Sequence, residues 1–266
     1  MKALLSDDLV VLARDGAVLR LTMNRGGARN ALSAAMMDAL QKALETTASD
    51  DSRVAVLAAN GPAFCAGHDL KEMTALRTRP DKGGAAFAAL FAQCSTLMQT
   101  IVRHPKPVIA QVQGVATAAG CQLVASCDLA VASTDARFAT PGVNIGLFCS
   151  TPMVAVSRNV PRKNMMEMLL TGEMISAEDA QRIGLVNRVV SPDALEVQTM
   201  KLAQLIADKP RATVKIGKEA FYRQLEMPLA QAYDYASRVM TENMLNAEAT
   251  EGICAFVQKR EPKWPA

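Results

Sequence analysis

Two short stretches bring together residues that could do chemistry, FCAGHDL (64–70) and ATAAGCQL (116–123). Each runs small residues and a glycine from a strand-like segment into a helical one. Small residues let another group approach the backbone, and the first turn of a helix carries N–H groups with no intrahelical partner. Two such N–H groups aimed at one point would hold negative charge developing on a carbonyl oxygen. Tight helix–strand packing asks for the same small residues, so the spacing alone leaves both readings open. Within these loops His68 stands beside Asp69, a candidate for proton transfer or an ordinary solvated pair. Gln122 cannot titrate and must find partners or face a cavity.

The rest of the composition narrows the field. The chain has 266 residues, half of them apolar and 21% charged, the balance of a globular protein with a large core. The net charge of +3 includes no basic run, and aromatics are 4%, which argues against nucleic acid as a partner. The six cysteines form no CxxC pair, and only His68 and His104 could join a metal site, so none is expected. The cysteines read as small core residues in a reducing compartment. MKALLSDDLVVLARDG is broken by Ser6, Asp7 and Asp8, unlike a signal or transit peptide. No apolar run is expected to cross a bilayer, and the expected location is cytoplasmic.

Elements must then position the two loops. LVVLARDGAVLRLTMN (9–24) reads as a hairpin about Asp15-Gly16, and Ser33 as the cap of a helix running to residue 50. VAVLAAN (54–60) is a buried strand, 63–73 a loop turning helical, and 77–84 a polar connection. A long helix over 85–103, a strand within 105–116, a helix and the strand LAVAS (129–133) follow. Alternating strands and helices imply an α/β core to about residue 190. From residue 161 the pattern is almost purely helical, with a stop at Gly172, a cap at Ser176 and helices near 193–207 and 211–226. The expected division is a core over 1–190 and a helical part over 191–266, whose apolar stripes would want a neighbouring subunit.

Six ordered blocks carry a resemblance over almost the whole chain: NRGGARNALS (24–33), AFCAGHDLKEM (63–73), KPVIAQVQGVATAAGCQLVASCDLAVAS (106–133), ARFATPGVNIGL (136–147), LLTGEMISAEDAQRIGLVNRVV (169–190) and EGICAFVQKREPKW (251–264). They resemble the crotonase, or enoyl-CoA hydratase/isomerase, superfamily. AGHDLKEM is similar to the subgroup called enoyl-CoA hydratase domain-containing protein 3. The resemblance implies a crotonase spiral of ββα units and a helical C-terminal trimerisation part. It also implies an acyl-CoA ligand, a homotrimer or hexamer, and lyase or isomerase chemistry in fatty acid metabolism. Coenzyme A would arrive as part of the thioester, with no cofactor bound permanently. The implied oxyanion hole is the N–H of His68 and the N–H of Ala119, backbone donors indifferent to side chain.

Hydratase members carry two glutamates where this chain has Gln122 and Gly142. Hydration needs an activated water and a proton source, and neither residue supplies one. A decarboxylation that forms the thioester enolate needs no strong base, so such a non-hydratase reaction is expected. A non-catalytic acyl-CoA binder and a conventional hydratase or isomerase are the alternatives. GVNIGLFCST (142–151) should border the acyl pocket, which makes Cys149 a further candidate, although buried cysteines more often pack. For coenzyme A, the resemblance places Ala28, Asn30 and Ala66 along the pantetheine and adenine path through their backbones. Arg29 and Lys71 could meet phosphate. Phe256 and Lys259 match residues that reach a neighbouring subunit's adenosine.

Overall fold

The computed structural model describes residues 2–6 and 9–265. The first three strands, β1 (Lys2–Ser6), β2 (Val10–Asp15) and β3 (Val18–Met23), pair antiparallel in sequence order. The β2–β3 turn is the Asp15-Gly16 hairpin, with Gly16 at φ +56°. Helix α1 (Ala34–Thr47) starts where Ser33 Oγ accepts the Met36 N–H, as its cap position demands.

Three turns of one pattern follow. Strands β4 (Val54–Ala59), β6 (Val108–Val112) and β8 (Leu129–Ser133) extend a large sheet in parallel. After each comes a three-residue strand of a second sheet: β5 (Ala63–Cys65), β7 (Val115–Thr117) and β9 (Arg137–Ala139). Helices then close each turn: α2 (Leu70–Leu76) and α3 (Gly84–Arg103), then α4 (Ala119–Ser126), then α5 (Ser150–Val156). This is the ββα spiral. Helix α6 (Arg162–Thr171) ends at left-handed Gly172, and α7 (Ala177–Arg182) is capped by Ser176. Between and after them, β10 (Ile175–Ser176) and β11 (Arg188–Val190) complete a four-stranded sheet β10-β9-β7-β5 and a seven-stranded sheet β1-β2-β3-β4-β6-β8-β11.

Glycines let successive turns touch backbone to backbone. A Cβ on Gly114 would lie 2.2 Å from the Pro62 carbonyl oxygen, and one on Gly120 would lie 2.0 Å from that of Cys65. Neither position has room for any side chain. The sheets and α1, α3 and α4 enclose a core around Phe64, Phe138, Met36, Met37, Leu97 and Ile101.

After β11 only helices follow: α8 (Leu195–Ala207), α9 (Arg211–Gln224), α10 (Leu229–Met244) and α11 (Ala247–Val257). Helix α8 is not a detached appendage. Its Leu195, Leu202, Ala203 and Ala207 cover Val18, Val54, Ile109 and Val131 on the outer face of the large sheet. Helices α9 to α11 pack largely on one another and leave Leu229, Tyr233, Leu245, Phe256 and Val257 exposed.

Four features differ from the sequence reading. β5, β9, β10 and β11 were not expected as strands, because runs of two or three residues show no period. β1 was not expected either. The single strand read over 105–116 divides at Gln113-Gly114 into β6 and β7, which enter different sheets. Helix α3 is long and apolar enough to cross a bilayer by length and composition, contrary to the reading of the sequence. Its Leu90, Cys94, Leu97, Met98 and Ile101 are instead buried in the protein core.

Candidate active site

The two small-residue loops meet. Gly67, at φ +91°, faces the second loop so closely that a Cβ there would touch the Ala118 Cβ at 3.1 Å and lie 3.5 Å from the Ala119 nitrogen. In the first loop, Leu32 bridges to His68 in parallel fashion: its N–H donates to the Gly67 carbonyl and its carbonyl accepts from Asp69. Backbone groups alternate in direction along an extended segment, so the His68 N–H points away from that bridge. In the second loop Ala119 is the first residue of α4, and no side chain caps the helix. Its N–H therefore leaves the helix end without an intrahelical partner. The residue before it, Ala118, has φ 50° and ψ −118°, an unusual conformation for a residue with a side chain.

Helix α3 walls this junction. The His68 ring meets Phe91 edge-on at 5.6 Å, and the Gln122 Oε1 accepts from the Cys94 thiol at 4.0 Å. His68 Nδ1 lies 3.2 Å from the Leu32 carbonyl oxygen, which can only accept, so the proton sits on Nδ1. Nε2 is buried and has no partner among the described residues. Burial holds the imidazole below its ordinary pKa, against the Leu32 carbonyl and Glu72, which favour the charged form. His68 therefore offers a lone pair as well as a backbone N–H.

Position 142, where the resemblance implies the second hydratase glutamate, is sterically closed. Gly142 is buried, and a Cβ there would lie 2.7 Å from the Leu147 carbonyl oxygen and 2.9 Å from Cys149 Sγ. Cys149 Sγ itself accepts the Gly142 N–H at 3.3 Å. Burial raises the pKa of this thiol, with the Gly142 N–H working in the opposite direction. Cys149 is thus a thiol filling the space where a side chain at 142 would start. Its neighbours Cys65 and Cys121 are fully buried and pushed up to about 12, and Cys94 to about 11, by burial.

The other sequence candidates divide. Asn30 is fully buried, and its side chain joins three backbone segments: Oδ1 accepts from Arg25 N–H, while Nδ2 donates to the Asn60 and Ala63 carbonyls. The N–H groups of Ala28 and Asn30 both donate to the Arg25 carbonyl, and that of Ala66 donates to Arg29. These three N–H groups are therefore already engaged within the chain. Arg29 and Lys71 are exposed near the two loops. Phe256 is 85% exposed on α11, which packs on α9 and α10 and not on the loops, so this chain does not bring Phe256 or Lys259 to its own site.

Sequence reasoning missed Arg25, whose guanidinium pairs with Asp69 at 3.0 Å while Asp69 caps α2 through the Lys71 and Glu72 N–H groups. It also missed Thr140, a fully buried hydroxyl without a partner, two residues before Gly142. Only its place in the ATPG turn could have marked it. Among the described residues no group of three His, Cys, Asp or Glu side chains could hold a metal.

Comparison with known proteins follows this geometry. The family model described as enoyl-CoA hydratase/isomerase matches residues 13–266. The chain is 48% identical over 252 residues to the Mus musculus enoyl-CoA hydratase domain-containing protein 3, mitochondrial, covering 94% of this chain and 82% of that protein. The Homo sapiens protein of the same name is 51% identical over 237 residues, covering 89% and 77%. A crystal structure of an enoyl-CoA hydratase from Mycobacterium smegmatis superposes with a TM-score of 0.93 at 54% identity, over 97% of this chain and 99% of that one. That of human enoyl-CoA hydratase domain-containing protein 3 gives 0.91 at 46%, over 96% and 100%. The mitochondrial relatives overturn the expected cytoplasmic location. Free cysteines, on which that expectation partly rested, do not distinguish one compartment from another. Matched along nearly its whole length, the chain belongs to the enoyl-CoA hydratase/isomerase, or crotonase, family.

Proposed function

We propose that this protein acts on an acyl-CoA thioester whose carbonyl oxygen lies between the N–H groups of His68 and Ala119, and that its reaction is not hydration. The observation that carries this reading is the closure of position 142 by Leu147 and Cys149. With Gln122 at the other glutamate position, neither of the two positions that carry the hydratase glutamates supplies a carboxylate to activate water. A reaction that needs only enolate stabilisation suits it, and decarboxylation is one. The bond between Cα and the departing carboxylate breaks and its electron pair moves into the thioester. The two N–H groups stabilise the oxyanion while CO2 leaves, and solvent water returns a proton to Cα. Backbone donors held by the turn are in place before the charge develops, which is what makes them effective.

The exposed apolar side chains of α10 and α11 favour a trimer or a dimer of trimers, in which Phe256 and Lys259 reach a neighbour's coenzyme A. Sedimentation tests the assembly. For the reaction, the protein is incubated with crotonyl-CoA and with malonyl-type thioesters, following enoyl absorbance and CO2 release. Loss of CO2 without hydration is expected. Hydration at a hydratase-like rate refutes the reading, and micromolar binding with no turnover on any thioester assigns a binder in place of an enzyme.

A further inference from the structure

A group of five cations lies away from the two loops. A cavity of about 320 Å³ opens at the N-terminal ends of β4 and β6, whereas the loops follow the C-terminal ends of these parallel strands. Arg53, Lys106, Lys209, Arg211 and Lys215 line it, and among the described residues no Asp or Glu does.

These cations differ in what they are committed to. Arg53 donates to the Ala207 carbonyl at 3.2 Å and Arg211 to the Asp50 carbonyl at 2.9 Å, contacts that orient the guanidinium groups without neutralising them. Lys106 is 4% exposed and pairs with the Asp50 carboxylate, with further bonds to the Thr47 carbonyl and Ser52 hydroxyl. Burial lowers its pKa first; Asp50 acts in the opposite direction, and Arg211 and Arg14 disfavour the charge further. Lys209 and Lys215 are exposed, and neither takes part in a salt bridge among the described residues. Two of the acids near this end have partners, and Asp51, next to Asp50, is exposed and lies outside the cavity lining. Asp50 holds Lys106, and Asp208 accepts from Gln204 at the end of α8.

Local rules are broken here in a consistent direction. Helix α9 opens with Arg211 and repeats a cation four residues on at Lys215, with no acidic residue in its first turn. Cations oppose the dipole at a helix N-terminus, and like charges four apart repel. Glu248 relieves part of this by accepting from Ala212 and Thr213 N–H, but it does not line the cavity. Such a conflict between local preference and fold marks a site where something else is gained.

We infer that this cavity is a second binding site for a small anion bearing one or two phosphate groups, separate from the thioester site. Its volume is at the lower end of the range for small-ligand sites and has ample room for a diphosphate. Arg53 and Arg211 present planar donors, and Lys209 and Lys215 supply mobile charge at the mouth.

The test is calorimetric titration of the full-length protein with inorganic pyrophosphate at low salt, with and without saturating coenzyme A. The Lys209→Gln/Lys215→Gln double variant is titrated alongside; both side chains are exposed, and its melting curve checks the fold. Pyrophosphate binding that coenzyme A leaves in place, and that weakens about tenfold or more in the double variant, is expected. Full competition by coenzyme A, equal affinity in the variant, or no binding at millimolar pyrophosphate would each overturn the assignment.

Discussion

Replacing Gly142 by Ala tests the steric argument on which the reaction reading depends. Gly142 does not have a positive φ, so glycine is kept there for space and not for backbone freedom. The new Cβ would sit below 3.0 Å from two atoms: the Leu147 carbonyl oxygen, which is backbone, and Cys149 Sγ. Sγ can rotate about its own Cα–Cβ bond, but the carbonyl is main chain, so the turn itself must move. Overpacking of this kind costs about 1–3 kcal/mol. For a chain of this size that corresponds to a drop in melting temperature of about 2–5 °C. Adding Cys149→Ala removes the Sγ contact but leaves the carbonyl, so the double variant should recover only part of the loss relative to Cys149→Ala alone. Thermal unfolding of the four proteins, reversible by repeat scans, gives the cycle. If Gly142→Ala melts within about 1 °C of the parent, position 142 has room for a side chain. The case against a second carboxylate there then loses its structural support.

Three further outcomes are expected. Ala118→Gly should raise stability by about 1 kcal/mol, measured by urea unfolding, because the strain at φ 50° is larger than the entropy glycine adds to the unfolded chain. Asp69→Ala should cost about 1–2 kcal/mol at neutral pH through the lost α2 cap. Burial raises the Asp69 pKa, but the Glu72 N–H, Arg25 and Lys71 N–H bonds together hold it below its ordinary value. Its stabilisation is therefore present above the ordinary pKa of about 3.9 and disappears as pH falls through the lower folded value, so parent and variant should converge in acid. Titration with a thiol reagent should reach at most Cys254 in the native protein and all six cysteines after denaturation, since the other five are buried. Rapid native modification of Cys149 would contradict its burial.

Local signals in the sequence were strong where one residue's chemistry decides the backbone. Asp15-Gly16 made a hairpin, Ser33 and Ser176 capped helices, and Gly172 ended one. The strands of the small sheet were illegible for the opposite reason. β5, β7 and β9 are three residues each and almost wholly buried, so their pattern carries neither alternation nor length. At the site, residue types suggested free N–H groups but not that the loops converge; that depends on glycines 114 and 120 packing against other turns of the spiral. The His68 tautomer follows from the Leu32 carbonyl 36 residues away, and the closure of Gly142 from the curl that returns Cys149 to it. Contacts set by loop curvature leave no trace in spacing.

The bare stacking of Gly114 on Pro62 and Gly120 on Cys65 also determines what can be altered without harm. The spacing of the two N–H groups is fixed by main chain resting on main chain, with no side chain in between to act as a spacer. Residues 68, 122, 140 and 149 can therefore be exchanged to change acid, base or pocket shape while the donors keep their separation. On the proposed reading, such a scaffold suits redesign: chemistry can be rewritten around a pair of donors that the backbone itself holds in place.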